Sequence, residues 1–209
     1  PAPGDAVPTQ DHIRCEHVHF AYAGAQEALT DVDFALGHGQ TLGVLGATGS
    51  GKTTLILLLQ RFYRATAGAI RIDGVNIGAI PEGELHQMFG VAFQTDAFFA
   101  DTIYENIDFG RKLSREQIER AARCAQAAAF IEQFPEGYEH KLAAKAANLS
   151  GGQKQRLLIA RALAGQPQIL ILDDSSSALD YQTDAKMRRA IREEYPDVTT
   201  ILIAQRVSS

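Results

Sequence analysis

Long hydrophobic runs are missing from this sequence, and so are clusters of basic residues. No apolar stretch approaches the roughly 18–20 residues that a helix needs to cross a bilayer. No run of Lys or Arg stands out and the formal net charge is -5, so a nucleic-acid-binding face is not indicated. The 209 residues, of which 45% are hydrophobic and 22% charged, are enough for one sizeable domain with a buried core.

Cysteines and metal-ligand patterns are scarce as well. Cys15 and Cys124 lie far apart and fit no C-x-x-C pattern, which favours a reducing compartment but leaves a disulfide open. The six histidines show no spacing that is typical of metal ligands. Residues 1–10 are rich in Pro, Ala and Gly, and they are predicted to form a linker because they lack the basic start and apolar core of a signal peptide.

The hydrophobic pattern predicts an α/β fold. Alternating apolar residues around Val18–Tyr22 and Val32–Leu36 indicate antiparallel strands near the N-terminus, and Asp73-Gly74 indicates a hairpin turn. Short apolar strands at 41–45, 169–172 and 199–203 are followed or preceded by helical stretches. Such alternation predicts a mainly parallel sheet flanked by helices. Between about 102 and 142 the pattern is helical, and Ser114 with Gln117 forms a predicted capping box.

The clearest motif is a phosphate-binding loop. The run Gly46-Ala-Thr-Gly-Ser-Gly-Lys52-Thr53 fits G-x-x-x-x-G-K-[ST] between a predicted strand and a predicted helix. In such a loop consecutive N–H groups and the helix N-terminus attract phosphates, the lysine reaches the β- and γ-phosphates, and the Ser/Thr hydroxyl binds Mg²⁺. A chance match in a chain of this length is on the order of one in a hundred, so the motif predicts a nucleotide site.

A second acidic site is expected at the end of a buried strand. Ile169–Leu172 leads directly into Asp173 and Asp174, and ligands of doubly wound sheets bind at the carboxyl ends of strands. An Asp in that position is as often a helix cap or a turn residue. Together with the phosphate loop, however, Asp173 is predicted to hold Mg²⁺ directly or through water.

A third motif, Leu149-Ser150-Gly151-Gly152-Gln153, identifies a family resemblance. Ser150 and Gln153 form a capping box for the helix that follows, but a capping box requires neither the leucine nor the two glycines. In their order along the chain, the phosphate loop, this pentapeptide and the strand before Asp173 resemble the ABC ATPase family over nearly the whole sequence. The resemblance implies a P-loop NTPase core with an N-terminal antiparallel β-subdomain and an inserted α-helical subdomain.

The resemblance also implies roles for single residues, with ATP and Mg²⁺ as ligands. Tyr22 resembles the aromatic residue that stacks on adenine, and Asp180, in Ser177–Asp180, the residue that communicates across a dimer. The other residues implied to bind ATP within this chain are Thr48, Gly49, Ser50, Gly51, Lys52, Thr53 and Thr54. Those implied to bind the metal are Thr53, Gln94 and Asp173, and the catalytic residues are Asp174, Gln94 and Gln205. Ser150, Gly151, Gly152 and Gln153 would contact ATP held by the opposite subunit of a dimer.

The segment Thr95–Ile107 resembles the exporter branch of the family, in which this region contacts a membrane domain. The resemblance implies a core of about 11–93 and 158–209, a helical subdomain of about 95–157, and a chain that continues past its C-terminal end. A transmembrane domain is expected N-terminally in the same polypeptide, which would place the domain on the cytoplasmic face of a membrane. The alternative is a soluble ABC ATPase without a transport role; the lack of basic patches and the exporter-like segment count against it.

Two residues depart from the family pattern at the hydrolysis step. Asp174 stands where the family usually has Glu, the base that polarises the attacking water, and Gln205 stands where it usually has His. We therefore expect ATP binding with slow hydrolysis, as in one half of an asymmetric exporter with a non-identical partner. The simpler alternative is that Asp and Gln substitute for the usual residues without loss. A third departure, the alanine-rich Leu142–Ala147, replaces a segment that usually contains Gly and Glu.

Overall fold

The computed structural model describes residues 10–93, 97–173 and 179–204. Within these ranges the chain forms two compact units, one containing residues 10–89 and 199–204 and the other containing residues of 90–198. No helix of the described ranges is both long enough and apolar enough to cross a membrane. Cys15 and Cys124 are free and buried, and burial raises the pKa of their thiols to about 12 and about 11.

The first unit contains an antiparallel sheet, as the alternating apolar pattern predicts. Its strands, in spatial order, are β2 (Glu27–Gly37), β1 (Asp11–Ala21), β4 (Ala67–Ile72) and β5 (Val75–Asn76). The predicted hairpin joins β4 to β5. Asp73 and Gly74 both have positive φ, 47° and 77°, which is the conformation that a two-residue type I′ turn requires at both central positions.

The same unit holds a parallel pair of strands that leads into the phosphate loop. β3 (Thr41–Leu45) pairs with β8 (Thr199–Ala204) in register from Thr41 opposite Thr200 to Leu45 opposite Ala204. After the loop comes α1 (Lys52–Leu59), whose Leu55, Leu58 and Leu59 are buried, as their spacing predicts. A shorter helix, α2 (Glu82–Gln87), begins after Pro81, where the ring of proline fixes φ at a value suited to a helix start.

The second unit is mainly helical. Its helices are α3 (Ile103–Asp108), α4 (Arg115–Cys124), α5 (Ala128–Ile131), α6 (Gly151–Ala164) and α7 (Tyr181–Glu194), with 3₁₀ turns at Gly137–Glu139 and Ala144–Ala146. Four of these helices begin at a side-chain cap, provided by Thr102, Ser114, Ser150 and Asp180. Both predicted capping boxes, Ser114 with Gln117 and Ser150 with Gln153, are present.

Two neighbouring strands accompany these helices, β6 (Phe89–Ala92) and β7 (Ile169–Asp173). The first four residues of β7 are buried, which agrees with the apolar run in the sequence. β6 lies close to α6, since a Cβ added at Gly90 would come within 2.3 Å of the Ala162 carbonyl oxygen. At the end of β7, Asp173 is the first residue of the strand that is partly exposed.

Candidate nucleotide-binding site

The phosphate-loop motif forms an exposed loop between β3 and α1. Gly49 and Gly51 have φ values of 84° and 88°, a region that glycine adopts without steric cost. At Gly51 the space is also closed: a Cβ there would lie 2.5 Å from the Ala28 carbonyl oxygen and 2.7 Å from Cδ2 of Leu29. The close approach of β2 thus requires glycine immediately before the helix.

The start of α1 differs from the starts of the longer helices α4, α6 and α7. Its N-cap residue is Gly51 and no side chain caps it. The first N–H groups of a helix have no acceptor within the helix, and they carry a partial positive charge. Phosphate oxygens are suitable acceptors for such groups. An exposed, glycine-flanked helix start without a side-chain cap therefore fits a bound polyphosphate.

Lys52 occupies the centre of the loop. Its Nζ donates to the carbonyl oxygens of Gly46 and Ala47, both at 2.7 Å, and to Ser50 Oγ at 3.4 Å. The ammonium group is thereby held among the loop's own backbone atoms, where a phosphate would approach. Carbonyl oxygens are weaker partners for an ammonium ion than charged phosphate oxygens are. We therefore expect Lys52 to leave these carbonyl oxygens and bind phosphate oxygens when a nucleotide is present.

Thr53 and Thr54 have different surroundings although they are adjacent. Thr53 is exposed and Thr54 is buried, and the Thr54 hydroxyl lies 3.0 Å from the hydroxyl of Tyr22. The Tyr22 ring also meets Phe20 and Tyr63 edge to face, at 4.8 and 5.3 Å between centroids. The structure therefore brings Tyr22, predicted at the adenine, into direct contact with the phosphate-loop helix through Thr54.

Residues 150–153 of the third motif, here called the signature, form the N-cap and first turn of α6. Ser150 Oγ accepts from the Gln153 N–H at 3.2 Å, and Gln153 Oε1 accepts from the Ser150 N–H at 2.9 Å. Ser150 and Gly151 are exposed, and a Cβ at Gly151 would meet nothing within 4 Å. Ser150 and Gln153 are therefore paired with each other, and open space lies beside Gly151.

Asp180 caps α7 in the same unit. It accepts from the Thr183 hydroxyl at 2.7 Å and from the Thr183 N–H at 2.9 Å, and these hydrogen bonds lower the pKa of the carboxyl group. Its charge also acts on Arg156, whose pKa is lowered by burial and raised by Asp180. Arg156 donates to the carbonyl oxygens of Gly152 and Gln126 at 3.2 and 3.0 Å. These hydrogen bonds connect the signature turn to the segment between α4 and α5, which the motifs do not indicate.

Three predicted catalytic positions, Gln94, Asp174 and Gln205, lie outside the described residues, as does Ser177. Asp173 is described, at the end of β7 and partly exposed, and its assignment to Mg²⁺ stays a prediction.

A family model described as "ABC transporter" matches residues 29–177. This range includes the phosphate loop, the signature turn and β7. The chain belongs to the ABC transporter family. The resemblance that the three motifs predict is thus confirmed.

Curated proteins and a solved structure extend this result. ATP-binding cassette sub-family B member 6 of Mus musculus is 41% identical over 94% of this chain and 24% of its own length. The ATP-dependent lipid A-core flippase of Chromobacterium violaceum is 41% identical over 96% of this chain and 35% of its own. A solved bacterial Atm1-family ABC exporter with ATP bound matches 98% of this chain and 36% of that one, with 36% identity and a TM-score of 0.86.

The chain therefore spans about a quarter to a third of the length of these relatives. The similarity confirms the predicted fold class, an α/β ABC nucleotide-binding domain with an antiparallel β-subdomain and a parallel sheet flanked by helices. Among ABC transporter domains it is of the exporter type.

Arg161 organises the exporter-like segment, of which residues 97–107 are described, and the motifs do not single it out. This buried side chain donates to the carbonyl oxygens of Asn106 and Ala97 at 2.8 and 3.0 Å. Its guanidinium lies 5.2 Å from the ring centroid of Phe98 and 4.5 Å from that of Phe109. Through this one cation α6 contacts the backbone of the segment, its Phe98 ring and the Phe109 ring that follows it.

The alanine-rich segment before the ABC signature has an unusual backbone. Lys145 and Ala146 have φ values of 56° and 48°, and Ala146 is fully buried. Non-glycine residues in the left-handed region are strained by roughly 1–2 kcal/mol. The segment therefore keeps a conformation that favours glycine while carrying alanine, and Ser150 follows three residues after its end.

Proposed function

We propose that this chain is the ATP-binding motor domain of an ABC exporter, working on the cytoplasmic face of a membrane. In this proposal it is joined to an N-terminal transmembrane domain and pairs with a second, non-identical nucleotide-binding domain. The observation that carries the proposal is the exposed loop ending in the uncapped start of α1, with Lys52 held at its centre.

The residues around this loop suit Mg-ATP. Lys52 would exchange its carbonyl partners for phosphate oxygens, and backbone N–H groups of residues 48–54 would donate to the phosphates. Thr53, whose side chain is exposed, offers an oxygen ligand of the kind that Mg²⁺ prefers. When bound, Mg²⁺ neutralises negative charge on the phosphates. Thr54 contributes through its backbone, because its hydroxyl is engaged by Tyr22.

The signature turn suits a different task. Ser150 and Gln153 satisfy each other, so the turn keeps its shape in a single chain. Its exposed glycine and helix N-terminus form a second anion-binding surface, which would face the γ-phosphate of ATP held by a partner. Arg156, one turn further along α6, donates to the Gly152 carbonyl oxygen of this turn. Dimerisation would therefore complete two sites, each with a loop from one chain and a signature from the other.

We further propose that hydrolysis at this chain's own loop is slow. Asp174 is one methylene shorter than the glutamate that usually positions water, and Gln205 cannot carry the charge of histidine. General-base positioning is worth roughly 10²–10⁴ in rate, or about 3–5 kcal/mol of barrier. The ATP-holding residues are unaffected by these two changes. The signature of this chain would thus contact ATP at a more active site, the one formed by the phosphate loop of a partner chain.

Binding of Mg-ATP to the purified chain tests the proposal. Lys52→Ala should weaken binding by about 10- to 100-fold, because a hydrogen bond to a charged group contributes about 1.5–3 kcal/mol. Lys154→Ala, which removes a lysine from the first turns of α6, is the matched control and should leave the affinity of the single chain unchanged. Unchanged binding in Lys52→Ala would contradict the assignment of the loop. A full gene without transmembrane segments upstream of this domain would contradict the exporter role.

A further inference from the structure

Three side chains that are far apart in sequence meet in the first unit: His12, His38 and Asp73, here called the two-histidine cluster. Each offers one possible ligand atom, and these atoms all lie within 4.8 Å of one another. None of the three takes part in the nucleotide site proposed above. Sequence spacing does not reveal them, because they come from three separate segments.

The backbone beneath the cluster is well fixed. His12 lies in β1, His38 in the turn between β2 and β3, and Asp73 in the type I′ turn between β4 and β5. The Asp73 N–H donates to the His12 carbonyl oxygen at 2.9 Å. The turn that carries His38 is closed by Gly37 and Gln40, whose N–H donates to the Gly37 oxygen at 3.2 Å. The three positions are therefore held together without any ion.

The hydrogen bonds of His12 define which of its nitrogens can bind a metal. Nδ1 lies 2.6 Å from Thr199 Oγ1, and that hydroxyl donates its only proton to the Gly37 carbonyl oxygen at 3.3 Å. In the tautomer that matches this hydrogen bond, the hydroxyl accepts from His12, Nδ1 carries the hydrogen and Nε2 has the lone pair. Metal-binding histidines usually have such a hydrogen-bond partner on the nitrogen that does not bind the metal.

His38 lies over His12, and Asp73 lies beside His38. The two imidazole rings stack with centroids 4.0 Å apart and planes inclined by 10°. His38 Nε2 lies 2.7 Å from Asp73 Oδ1. The side chains of His38 and Asp73 are 52% and 48% exposed, so both can rotate at little cost, whereas His12 is buried.

We propose that the two-histidine cluster binds one divalent transition-metal ion, of the Zn²⁺ class, through His12 Nε2, His38 and Asp73. Two imidazoles and a carboxylate are borderline ligands that suit Zn²⁺, Ni²⁺ or Cu²⁺, whereas Mg²⁺ and Ca²⁺ prefer oxygen ligands alone. A site with three protein ligands leaves a position for water.

Ion binding requires a small rearrangement that the exposed residues can make. Ligands about 2.0–2.1 Å from a tetrahedral Zn²⁺ are about 3.3 Å from each other, whereas His38 Nε2 and Asp73 Oδ1 are 2.7 Å apart and the three ligand atoms lie within 4.8 Å of one another. Stacked rings also point their lone pairs in parallel directions. His38 must therefore tilt off His12, and the stack opens when the ion enters.

Calorimetric titration of the purified chain with Zn²⁺, without nucleotide, tests the proposal. We expect saturable binding of one Zn²⁺ per chain and no competition from Mg²⁺. His38→Ala should weaken Zn²⁺ binding at least tenfold. Equal affinity in His38→Ala and the unsubstituted chain would overturn the proposal.

His17→Ala is the matched control. His17 also lies 2.7 Å from a carboxylate oxygen, that of Asp31, with Asp33 nearby. The hydrogen bond to Asp31 raises the pKa of His17, which favours the protonated form that cannot bind a metal. We expect Zn²⁺ affinity to be unchanged in this variant. Loss of binding in His17→Ala, with retention in His38→Ala, would place the ion elsewhere and overturn the proposal.

An NMR measurement on the unsubstituted chain covers the case in which His38→Ala does not fold. Imidazole ¹⁵N signals of two histidines should shift on addition of Zn²⁺ and return on addition of a chelator. Assignment to His12 and His38 supports the site. Shifts confined to other histidines, such as His17 or His140, would contradict it.

Discussion

The first turns of α1 and α6 both follow glycine-containing motifs, but they satisfy their leading N–H groups in different ways. α1 begins at Gly51 without a side-chain cap, next to a lysine held by loop carbonyls. α6 begins with a complete capping box between Ser150 and Gln153. One helix start has donors ready for an external anion, whereas the other is stable by itself.

This difference corresponds to the two roles that we propose for one chain. A helix start without a cap gains most from a phosphate that the same chain binds, since its orphan N–H groups otherwise face water. A helix start with a side-chain cap keeps its conformation in the absence of a partner chain, and its exposure leaves it accessible to one. The glycines differ in the same sense, because Gly51 is enclosed by β2 while Gly151 borders open space.

The largest expected effect concerns hydrolysis at the loop rather than binding. Asp174→Glu combined with Gln205→His should raise turnover at this chain's site by about 10²-fold, the lower end of the usual contribution of a positioned base. Steady-state phosphate release from the dimer with its partner measures it. Asp197→Glu, an exposed Asp-to-Glu change, is the control. No gain would mean that another element limits the rate, which would contradict the weak-site proposal.

Alanine at the two helix-start glycines separates them directly. Gly51→Ala should destabilise the domain by about 2 kcal/mol or more, because φ is 88° and the new Cβ would contact the Ala28 oxygen at 2.5 Å. Gly151→Ala has open space and should leave the free energy of unfolding unchanged or raise it slightly. Thermal or denaturant unfolding measures both. Equal costs would remove the structural distinction between the two starts.

Removal of the two capping serines distinguishes a structural cap from a functional one. Ser150→Ala and Ser114→Ala should each lower the free energy of unfolding by about 1 kcal/mol, since each loses the same kind of box. Only Ser150→Ala should also lower ATP turnover by the partnered complex. If both variants retain full turnover, the signature turn is a cap and nothing more.

The smallest expected effect is at the strained segment before α6. Lys145→Gly should raise the free energy of unfolding by about 0.5 kcal/mol, because Lys145 is exposed and glycine adopts its φ of 56° without steric cost but loses more entropy on folding. Ala143→Gly, also at an exposed position, is the control: its φ of -67° lies in a region that alanine adopts readily, so it should not stabilise. A stability loss in Lys145→Gly as large as in the control would show that strain at this position is negligible.

The features that the sequence predicts correctly depend on neighbours within a few residues. The turn at Asp73-Gly74, the boxes at Ser114 and Ser150, and the loop before α1 are all determined by short-range backbone chemistry. The residues that sequence reasoning misses act over long separations. Arg161 binds Ala97 and Asn106, and Thr54 meets Tyr22, contacts that only the folded chain brings about.

The two-histidine cluster illustrates the same limit. One of its residues lies in a strand and two lie in separate turns, so their positions in the sequence show no spacing typical of metal ligands. Gln94, Asp174 and Gln205 are the reverse case: sequence patterns indicate their roles, and their assignments stay predictions.

Hydrolysis of pre-bound ATP by the unsubstituted chain tests the central claim most directly. Mg-ATP is bound stoichiometrically to the purified chain, and bound nucleotide and product are followed in the same sample, beside the Asp174→Glu, Gln205→His variant. We predict full occupancy with ATP that stays largely intact while the variant converts its own. Absence of saturable binding, or conversion as fast as in the variant, would contradict the account.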